Sequence, residues 1–202
     1  MHVLLQQLAA VAQLADIEFA RGAARHGARI QCKRGCSDCC GQVFHITEPE
    51  AARISLHLKT LPAAEQADMK QRATQYLHDR ARLFAAPESW ESPLPTGARL
   101  PCPALGQAGQ CRIYQARPII CRKFGVPVLN PDRGTVTACE LNFKAGDPIE
   151  DEQLVKKQTA LFAAQQDLQA AWNQAGAPRS ETPLCVASAL ARDLWGLMPG
   201  GQ

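Results

Sequence analysis

The stretch Cys32-Lys33-Arg34-Gly35-Cys36-Ser37-Asp38-Cys39-Cys40-Gly41 contains four of the nine cysteines of the chain within nine residues. Adjacent cysteines such as Cys39 and Cys40 do not easily form a disulfide with each other, whereas thiolates at short spacings suit a soft metal ion. Cys36 and Cys39 form a Cys-x-x-Cys pair, in which one turn of chain presents two sulfurs to a single ion. The stretch therefore predicts the first half of a metal site.

The spacing also bears on the number of ions. Cys32, Cys36 and Cys40 are four residues apart and would share one face of a helix, although Gly35 disfavours a helix by about 1 kcal/mol relative to alanine. Adjacent residues project in different directions, so Cys39 and Cys40 are not expected to bind one mononuclear ion together. This favours two ions, a cluster, or one cysteine that binds no metal.

Size and composition are those of a soluble globular domain. The chain has 202 residues, of which 46% are hydrophobic, and its net charge of +3 gives no global field that favours nucleic acid or a membrane. The N-terminal sequence lacks the pattern of a secretory signal and we expect no bilayer-spanning run, which predicts a cytoplasmic protein. In that reducing compartment an odd number of cysteines fits metal ligands better than disulfides. Only Cys185, isolated in sequence, is expected to be a small buried hydrophobe.

The rest of the sequence predicts a mostly α fold in a single domain, residues 1–202. Helical periodicity and capping patterns predict an amphipathic helix from 3 to about 26, helices from about 48 to 60 and 63 to 86, a long helix capped by Asp147 that runs to about 175, and a last helix opened by Thr182-Pro183 with Cys185 inside it. The capping box that starts the second helix is Thr47 with Glu50.

Irregular segments between these helices are expected to carry the remaining cysteines. The proline-rich residues 87–103 predict an ordered loop that brings Cys102 to a second cysteine group with Cys111 and Cys121. Two short apolar runs flank Asn130-Pro131-Asp132-Arg133-Gly134, which is a strong turn signal. This pattern predicts a small β-hairpin that returns Cys139 to the same region.

Both cysteine groups together resemble the YkgJ-type cysteine-cluster family of zinc- or iron-chelating proteins. The resemblance rests on Cys32-x-x-x-Cys36-x-x-Cys39-Cys40 followed by Glu48-x-Glu50-Ala51, on Cys102-Pro103-Ala104-Leu105, and on Cys111-Arg112-Ile113-Tyr114-Gln115-Ala116-Arg117-Pro118-Ile119-Ile120-Cys121-Arg122. It covers about residues 30–125, the expected metal-binding core between the N-terminal helix and the C-terminal helices.

The resemblance implies metal binding by seven cysteines: Cys32, Cys36, Cys39, Cys40, Cys102, Cys111 and Cys121. A related pattern occurs in flagellin lysine methylases, where it looks like an iron–sulfur cluster site. This chain has no glycine-rich loop for a methyl-donor cofactor. The methylase comparison therefore extends only to the cluster.

Cys139 would make an eighth thiolate. Eight thiolates fill two four-thiolate zinc sites, whereas four hold one 4Fe–4S cluster and leave the others structural or reactive. His45 either completes a mixed sulfur and nitrogen site or is simply packed. Arg117 and Arg122 either stabilise the negative charge of the thiolates or form ordinary ion pairs with Glu48, Glu50 or Asp38.

The function predicted from these residues is metal binding, with thiolates that hold zinc or iron for structural or chelating purposes. One alternative is an iron–sulfur protein that acts as a redox partner or enzyme component. Another is a nucleic-acid or protein interaction module. This alternative is disfavoured, because few aromatic residues near the basic residues could stack on bases. Its basic residues would be Arg21, Arg25, Arg29, Lys33 and Arg34. No Ser-His-Asp set or phosphate loop is present, so the sequence assigns no catalytic residue, and the only predicted partner is the metal ion.

Overall fold

A computed structural model describes residues 2–33, 35–95, 97–130, 135–144, 151–176 and 179–195. Within these ranges the chain is mostly helical, which confirms that part of the predicted fold class. The α-helices are α1 (His2–His26), α2 (Glu48–Leu58), α3 (Ala63–Ala81), α4 (Ile119–Lys123), α5 (Glu152–Gln174) and α6 (Val186–Ala191). Short 3₁₀ turns cover Gly27–Arg29, Asp38–Gly41 and Tyr114–Ala116.

The predicted capping box at the start of α2 is confirmed. The Glu50 side chain accepts a hydrogen bond from the backbone N–H of Thr47 at 2.9 Å, and the Thr47 side chain caps the helix in return. The helix α5 begins with Asp151 as its N-cap, where the side chain accepts from the Leu154 N–H at 3.2 Å. The cap predicted at Asp147 lies outside the described residues.

The last helix begins later than its sequence pattern predicts. Cys185 is the N-cap of α6 and is not inside the helix, which corrects the expectation from Thr182-Pro183. The reason is that the preceding residue is extended: the N–H of Ile46 donates to the carbonyl of Leu184 at 2.8 Å in an isolated antiparallel bridge. The chain turns into the helix only after this pairing ends.

Two apolar clusters hold the helices together. In the first, α2 and α3 pack against α6 through Ile54, Met69 and Leu190, each fully buried. In the second, α1 packs along α5 through Leu8 and Trp172. The cysteine-bearing segments lie beside both helix pairs, so helix packing fixes the positions from which their sulfurs project.

Two short strands precede α5. They are β1 (Val128–Asn130) and β2 (Thr135–Thr137), paired antiparallel with Leu129 opposite Val136. Residues 131–134, which carry most of the predicted turn, lie outside the described residues. The compact hairpin is therefore not confirmed and stays a prediction.

The first helix corrects the expectation that no run of residues is long and apolar enough to span a bilayer. Residues 2–29, with mean hydropathy 1.2 over their most apolar window, are long and apolar enough by length and composition to cross a membrane. The core helices of soluble proteins share this property, and α1 contributes the buried Leu8, Ala12 and Ala15 to the second apolar cluster. Val3, Leu14 and Ile17 are exposed.

Candidate metal centre

Backbone hydrogen bonds fold the proline-rich loop onto the first cysteine stretch. The N–H of Cys102 donates to the carbonyl of Cys40 at 2.7 Å, and the N–H of Leu100 donates to that of Gly41 at 2.9 Å. The antiparallel bridge between Leu105 and Cys111 then turns the chain back. These contacts bring the second cysteine group to the first, as the sequence predicts.

Two glycines allow the turns of these groups to touch. Gly35 and Gly109 both have positive φ, at 89° and 76°, a conformation that side chains disfavour. A Cβ at Gly109 would lie 2.8 Å from the carbonyl oxygen of Gly35. The turn before Cys36 and the turn before Cys111 therefore approach backbone to backbone.

The cysteines surround two adjoining cavities, and all nine are free thiols. The larger, which we call the outer cavity, has a volume of about 540 Å³. The smaller, the inner cavity, has a volume of about 40 Å³. Three thiols line only the outer cavity (Cys32, Cys36 and Cys139), three line only the inner cavity (Cys102, Cys121 and Cys185), and three line both (Cys39, Cys40 and Cys111).

Polar side chains position the outer thiols. The buried amide of Asn142 donates to the sulfur of Cys32 at 3.2 Å and to the carbonyl of Gly125 at 2.6 Å. The Cys139 thiol donates to a carboxylate oxygen of Asp38 at 3.3 Å. Gly125 leaves the space that Cys32 occupies, because a Cβ there would lie 2.5 Å from its sulfur.

Arg117 lines both cavities and contacts one thiol and one backbone carbonyl. Its Nη2 donates to the sulfur of Cys39 at 3.1 Å and to the carbonyl oxygen of Cys121. A hydrogen bond from Cys40, assisted by the Arg117 guanidinium, lowers the pKa of Cys39 to about 6. The same hydrogen bond raises the pKa of Cys40. Cys39 therefore loses its proton more readily than an ordinary cysteine, as expected beside a cation.

Burial has the opposite effect on the thiols deeper in the protein. It raises the pKa of Cys102 to about 12 and raises the pKa of Cys111 and Cys121 as well. Their charges, when present, also repel: Cys121 interacts with Cys102, Cys39 and Cys111. These thiols would have to lose their protons when an ion binds, so low pH would disfavour metal binding at the inner cavity.

The ion-pair partners predicted for Arg122 are wrong, whereas its charge is one of those that favour the thiolate form of Cys111. This buried guanidinium pairs with Asp16 of α1, and it donates to the carbonyls of Tyr114 at 2.7 Å and Arg117 at 2.9 Å. It therefore fixes the turn before α4 in place. Asp38 pairs instead with Arg99 at 2.6 Å.

Glu48 and Glu50 have structural roles. A carboxylate oxygen of Glu50 accepts from the N–H of Ile119 at 2.8 Å, and the other accepts from Gln165 at 2.9 Å. Glu48 accepts from the N–H of Ser180 at 2.8 Å. Glu50 thus ties α2 to the start of the helix that carries Cys121.

His45 is away from the thiols. Its Nε2 forms a hydrogen bond of 2.7 Å with Glu88, which also pairs with Arg80 at 2.6 Å. The ring lies edge-on to Trp90, with centroids 5.7 Å apart. His45 lines neither of the two cavities, so a mixed sulfur and nitrogen site is not supported.

Basic residues at the end of α1 are engaged within the protein. Arg21 and Arg25 contact the carboxylate of Asp151 at 3.3 and 3.6 Å, and the Arg29 guanidinium lies 4.6 Å from the Phe143 ring centroid. Arg34 lies outside the described residues. Lys33 is exposed, as is most of the Arg25 side chain. The nucleic-acid alternative is not tested by these contacts and stays a prediction.

Asn142 is a residue that the sequence pattern missed, because it acts on Cys32 through a single amide contact. Cys185 is buried in the first apolar cluster, which confirms the prediction of a small buried hydrophobe, and it also lines the inner cavity.

The donor set fits a soft metal ion, although its present geometry is not closed. Among the described residues, no group of three or more Cys, His, Asp and Glu side chains is positioned to hold an ion. Free thiols around a common space are ligands that suit zinc or iron, and the adjacent Arg117 guanidinium would stabilise their negative charge.

Comparison with known proteins identifies the class. The CxxCxxCC family model, described as a putative zinc- or iron-chelating domain, matches residues 31–169. Because the match covers more than half of the chain, the chain belongs to this family, and the resemblance predicted from the cysteine spacing is confirmed. The match also extends past the predicted core to include Cys139. No significant match was found among curated proteins or among solved structures.

Proposed function

We propose that eight cysteines hold zinc or iron in two adjoining thiolate centres, one at each cavity. The carrying observation is that all eight predicted ligands line these two cavities as free thiols. Membership of a zinc- or iron-chelating family supports the same chemistry. The eight are Cys32, Cys36, Cys39, Cys40, Cys102, Cys111, Cys121 and Cys139.

The two centres differ in what they can do. Apolar residues such as Phe44, Ile113 and Val186 line the inner cavity, which has room for little more than an ion. A closed four-thiolate site of this kind stabilises a fold without chemistry. The outer cavity has room beyond an ion, so its centre can exchange metal or accept an external ligand.

Arg117 supports the proposal through charge. Four thiolates around a divalent ion leave a net charge near −2, which a neighbouring cation stabilises. Arg117 is the guanidinium in direct contact with a thiol, and its second hydrogen bond holds the backbone at Cys121. It therefore links the two centres.

Metal analysis tests the proposal. The chain is purified without oxygen and without a histidine tag, and zinc, iron and acid-labile sulfide are measured together with the absorption spectrum. We expect two equivalents of zinc or iron. A protein that contains no metal, and that binds neither zinc nor ferrous iron when fully reduced, contradicts the proposal.

An iron–sulfur cluster in the outer cavity is the second candidate function. The volume of about 540 Å³ favours it, because a cluster needs far more space than one ion. Such a protein would serve as a redox partner or enzyme component. Brown protein with acid-labile sulfide supports the cluster, whereas colourless zinc protein excludes it.

We also propose that the protein works in the cytoplasm. Support comes from the nine free thiols, which a reducing compartment maintains. Labelling of the thiols in intact cells tests this, because cytoplasmic thiols react only with a membrane-permeant reagent.

A further inference from the structure

We propose that Asn142 is a positioning residue of the outer centre. Its side-chain amide donates to the sulfur of Cys32 while this sulfur binds the ion, and it thereby sets how tightly the outer ion is held. This inference rests on the proposed metal binding and concerns a residue that is itself no ligand. Hydrogen bonds to a ligand sulfur are among the outer contacts that tune a metal centre.

The orientation of the Asn142 amide is fixed by the three hydrogen bonds that it makes. Its Oδ1 accepts from the backbone N–H of Gln31 at 2.7 Å. Its Nδ2 donates to the carbonyl of Gly125 at 2.6 Å and to the sulfur of Cys32 at 3.2 Å. A reversed amide would place its NH₂ group against an N–H donor and its oxygen against a carbonyl. The sulfur of Cys32 therefore faces a donor, and its part in this contact is that of an acceptor.

Burial strengthens this contact. Asn142 is 1% exposed, and Cys32 packs against an apolar cluster that contains Val126 and Phe143. A hydrogen bond to a charged acceptor is stronger than one between neutral groups, and more so where water is excluded. A protonated thiol accepts only weakly, whereas a thiolate on a metal ion accepts strongly. The amide thus favours the metal-bound form of Cys32.

A strained backbone beside Asn142 is the independent observation. Phe143 has a φ of 44°, the single positive φ among the described residues other than glycine. Such a conformation is disfavoured for a bulky residue and persists where the surrounding structure imposes it, often at functional sites. The N–H of Phe143 donates to the carbonyl of Arg29 at 3.1 Å, and the Arg29 guanidinium lies over the Phe143 ring. These contacts hold the amide of Asn142 against the loop that carries Cys32.

One turn brings both the amide and a proposed ligand to the outer cavity. The N–H of Asn142 donates to the carbonyl of Cys139 at 2.8 Å, and Cys139 lines that cavity. Gly125 leaves room for the amide, because a Cβ there would lie 3.1 Å from Nδ2 of Asn142. The competing explanation is that the amide only joins the segments around Gln31 and Gly125, and that its contact with the sulfur does not affect the ion.

Cobalt substitution separates these explanations. Apo-protein is titrated with cobalt(II) in the parent chain and in two variants of Asn142. Asn142→Asp keeps an oxygen for the N–H of Gln31 but loses the donor, and Asn142→Ala loses both. The matched control is Phe143→Ala, which loosens the same turn but keeps the amide.

We expect both Asn142 variants to bind the outer cobalt about 10- to 100-fold more weakly than the parent chain. Their sulfur-to-cobalt absorption should move to longer wavelength, because a sulfur without the hydrogen bond donates charge more readily. Phe143→Ala should leave the wavelength unchanged, and the inner cobalt should bind alike in all chains. An unchanged wavelength in the Asn142 variants, or an equal shift in Phe143→Ala, overturns the inference.

A second measurement on the parent chain depends on no variant. Protein loaded with ¹¹³Cd and labelled with ¹⁵N is examined for scalar coupling from cadmium to cysteine β-protons and, across the hydrogen bond, to the side-chain amide protons of Asn142. We expect one cadmium ion to couple with both Cys32 and the Asn142 amide. Coupling to cysteines without coupling to the Asn142 amide overturns this inference alone, and coupling to no cysteine overturns the proposed function.

Discussion

The outer and inner cavities share three thiols and Arg117, whereas their remaining thiols lie in different surroundings. Loops hold the outer thiols through polar contacts, such as that of Asn142 with Cys32. Apolar residues surround the inner thiols, and Cys102 packs against the first apolar cluster. An ion bound at the inner cavity would therefore be part of the core, and one bound at the outer cavity would lie beside it.

This difference gives the two centres different thermodynamic roles. Burial raises the pKa of Cys102 and Cys121, whereas a hydrogen bond from Cys40 and the charge of Arg117 lower the pKa of the shared Cys39. In the proposed function, the inner centre would load at the cost of proton release and would then stabilise the docking of several helices. Among the shared thiols, Cys39 would lose its proton most readily.

The largest expected effect is on stability. Cys121→Ser, which removes an inner thiol, should lower the thermal midpoint of metal-loaded protein by about 10 °C or more. A lost buried ligand costs several kcal/mol, and each kcal/mol shifts the midpoint of a chain of this length by about 2–4 °C. Cys36→Ser, the matched outer variant, should shift it by less than half as much in differential scanning calorimetry. Equal shifts would remove the distinction between the cavities.

The next largest expected effect is loss of metal from the outer cavity in Gly125→Ala. The new Cβ would lie 2.5 Å from the sulfur of Cys32, so this sulfur should be displaced. Metal at the inner cavity should remain bound. Gly27→Ala is the control, since a Cβ there meets no atom within 4 Å. Elemental analysis of both variants measures the loss. Retention of all metal by Gly125→Ala would show that Cys32 is not a ligand.

Metal release should also distinguish the cavities. With excess chelator, the outer ion should leave first and the inner ion at least about tenfold more slowly, because the inner cavity is much smaller and mostly apolar. Release is measured with a zinc-sensitive dye at constant pH. A single phase that accounts for all of the metal argues for one shared cluster.

The smallest effect is on the charge of Cys39 in apo-protein. Arg117→Ala should raise the pKa of Cys39 above about 6, so its alkylation at pH 6.5 should slow several-fold and be unchanged above pH 9. Because the folded protein lowers the pKa of Cys39, the thiolate contributes stability that is present at alkaline pH and is lost as pH falls through about 6. In Arg117→Ala this pH-dependent contribution to stability should be smaller. Arg99→Ala, which loses a cation that pairs with Asp38, is the control. Identical profiles for parent and Arg117→Ala would exclude the thiolate contact.

Local patterns were sufficient to predict much of the fold and the ligand region. The capping box of Thr47 and Glu50 and the clustering of Cys36, Cys39 and Cys40 depend on neighbours in sequence, so spacing reveals them. Contacts between distant segments have no such signal. The pairing of Arg122 with Asp16 of α1 and the position of Cys185 depend on how helices dock.

Native mass spectrometry of zinc-loaded protein tests the central claim most directly, because it counts bound ions in intact chains. The account predicts two zinc ions in the parent chain and one in each of Cys36→Ser and Cys121→Ser, with the double variant empty. A parent chain that binds no zinc, or single variants that both lose every ion at once, would contradict two adjoining thiolate centres.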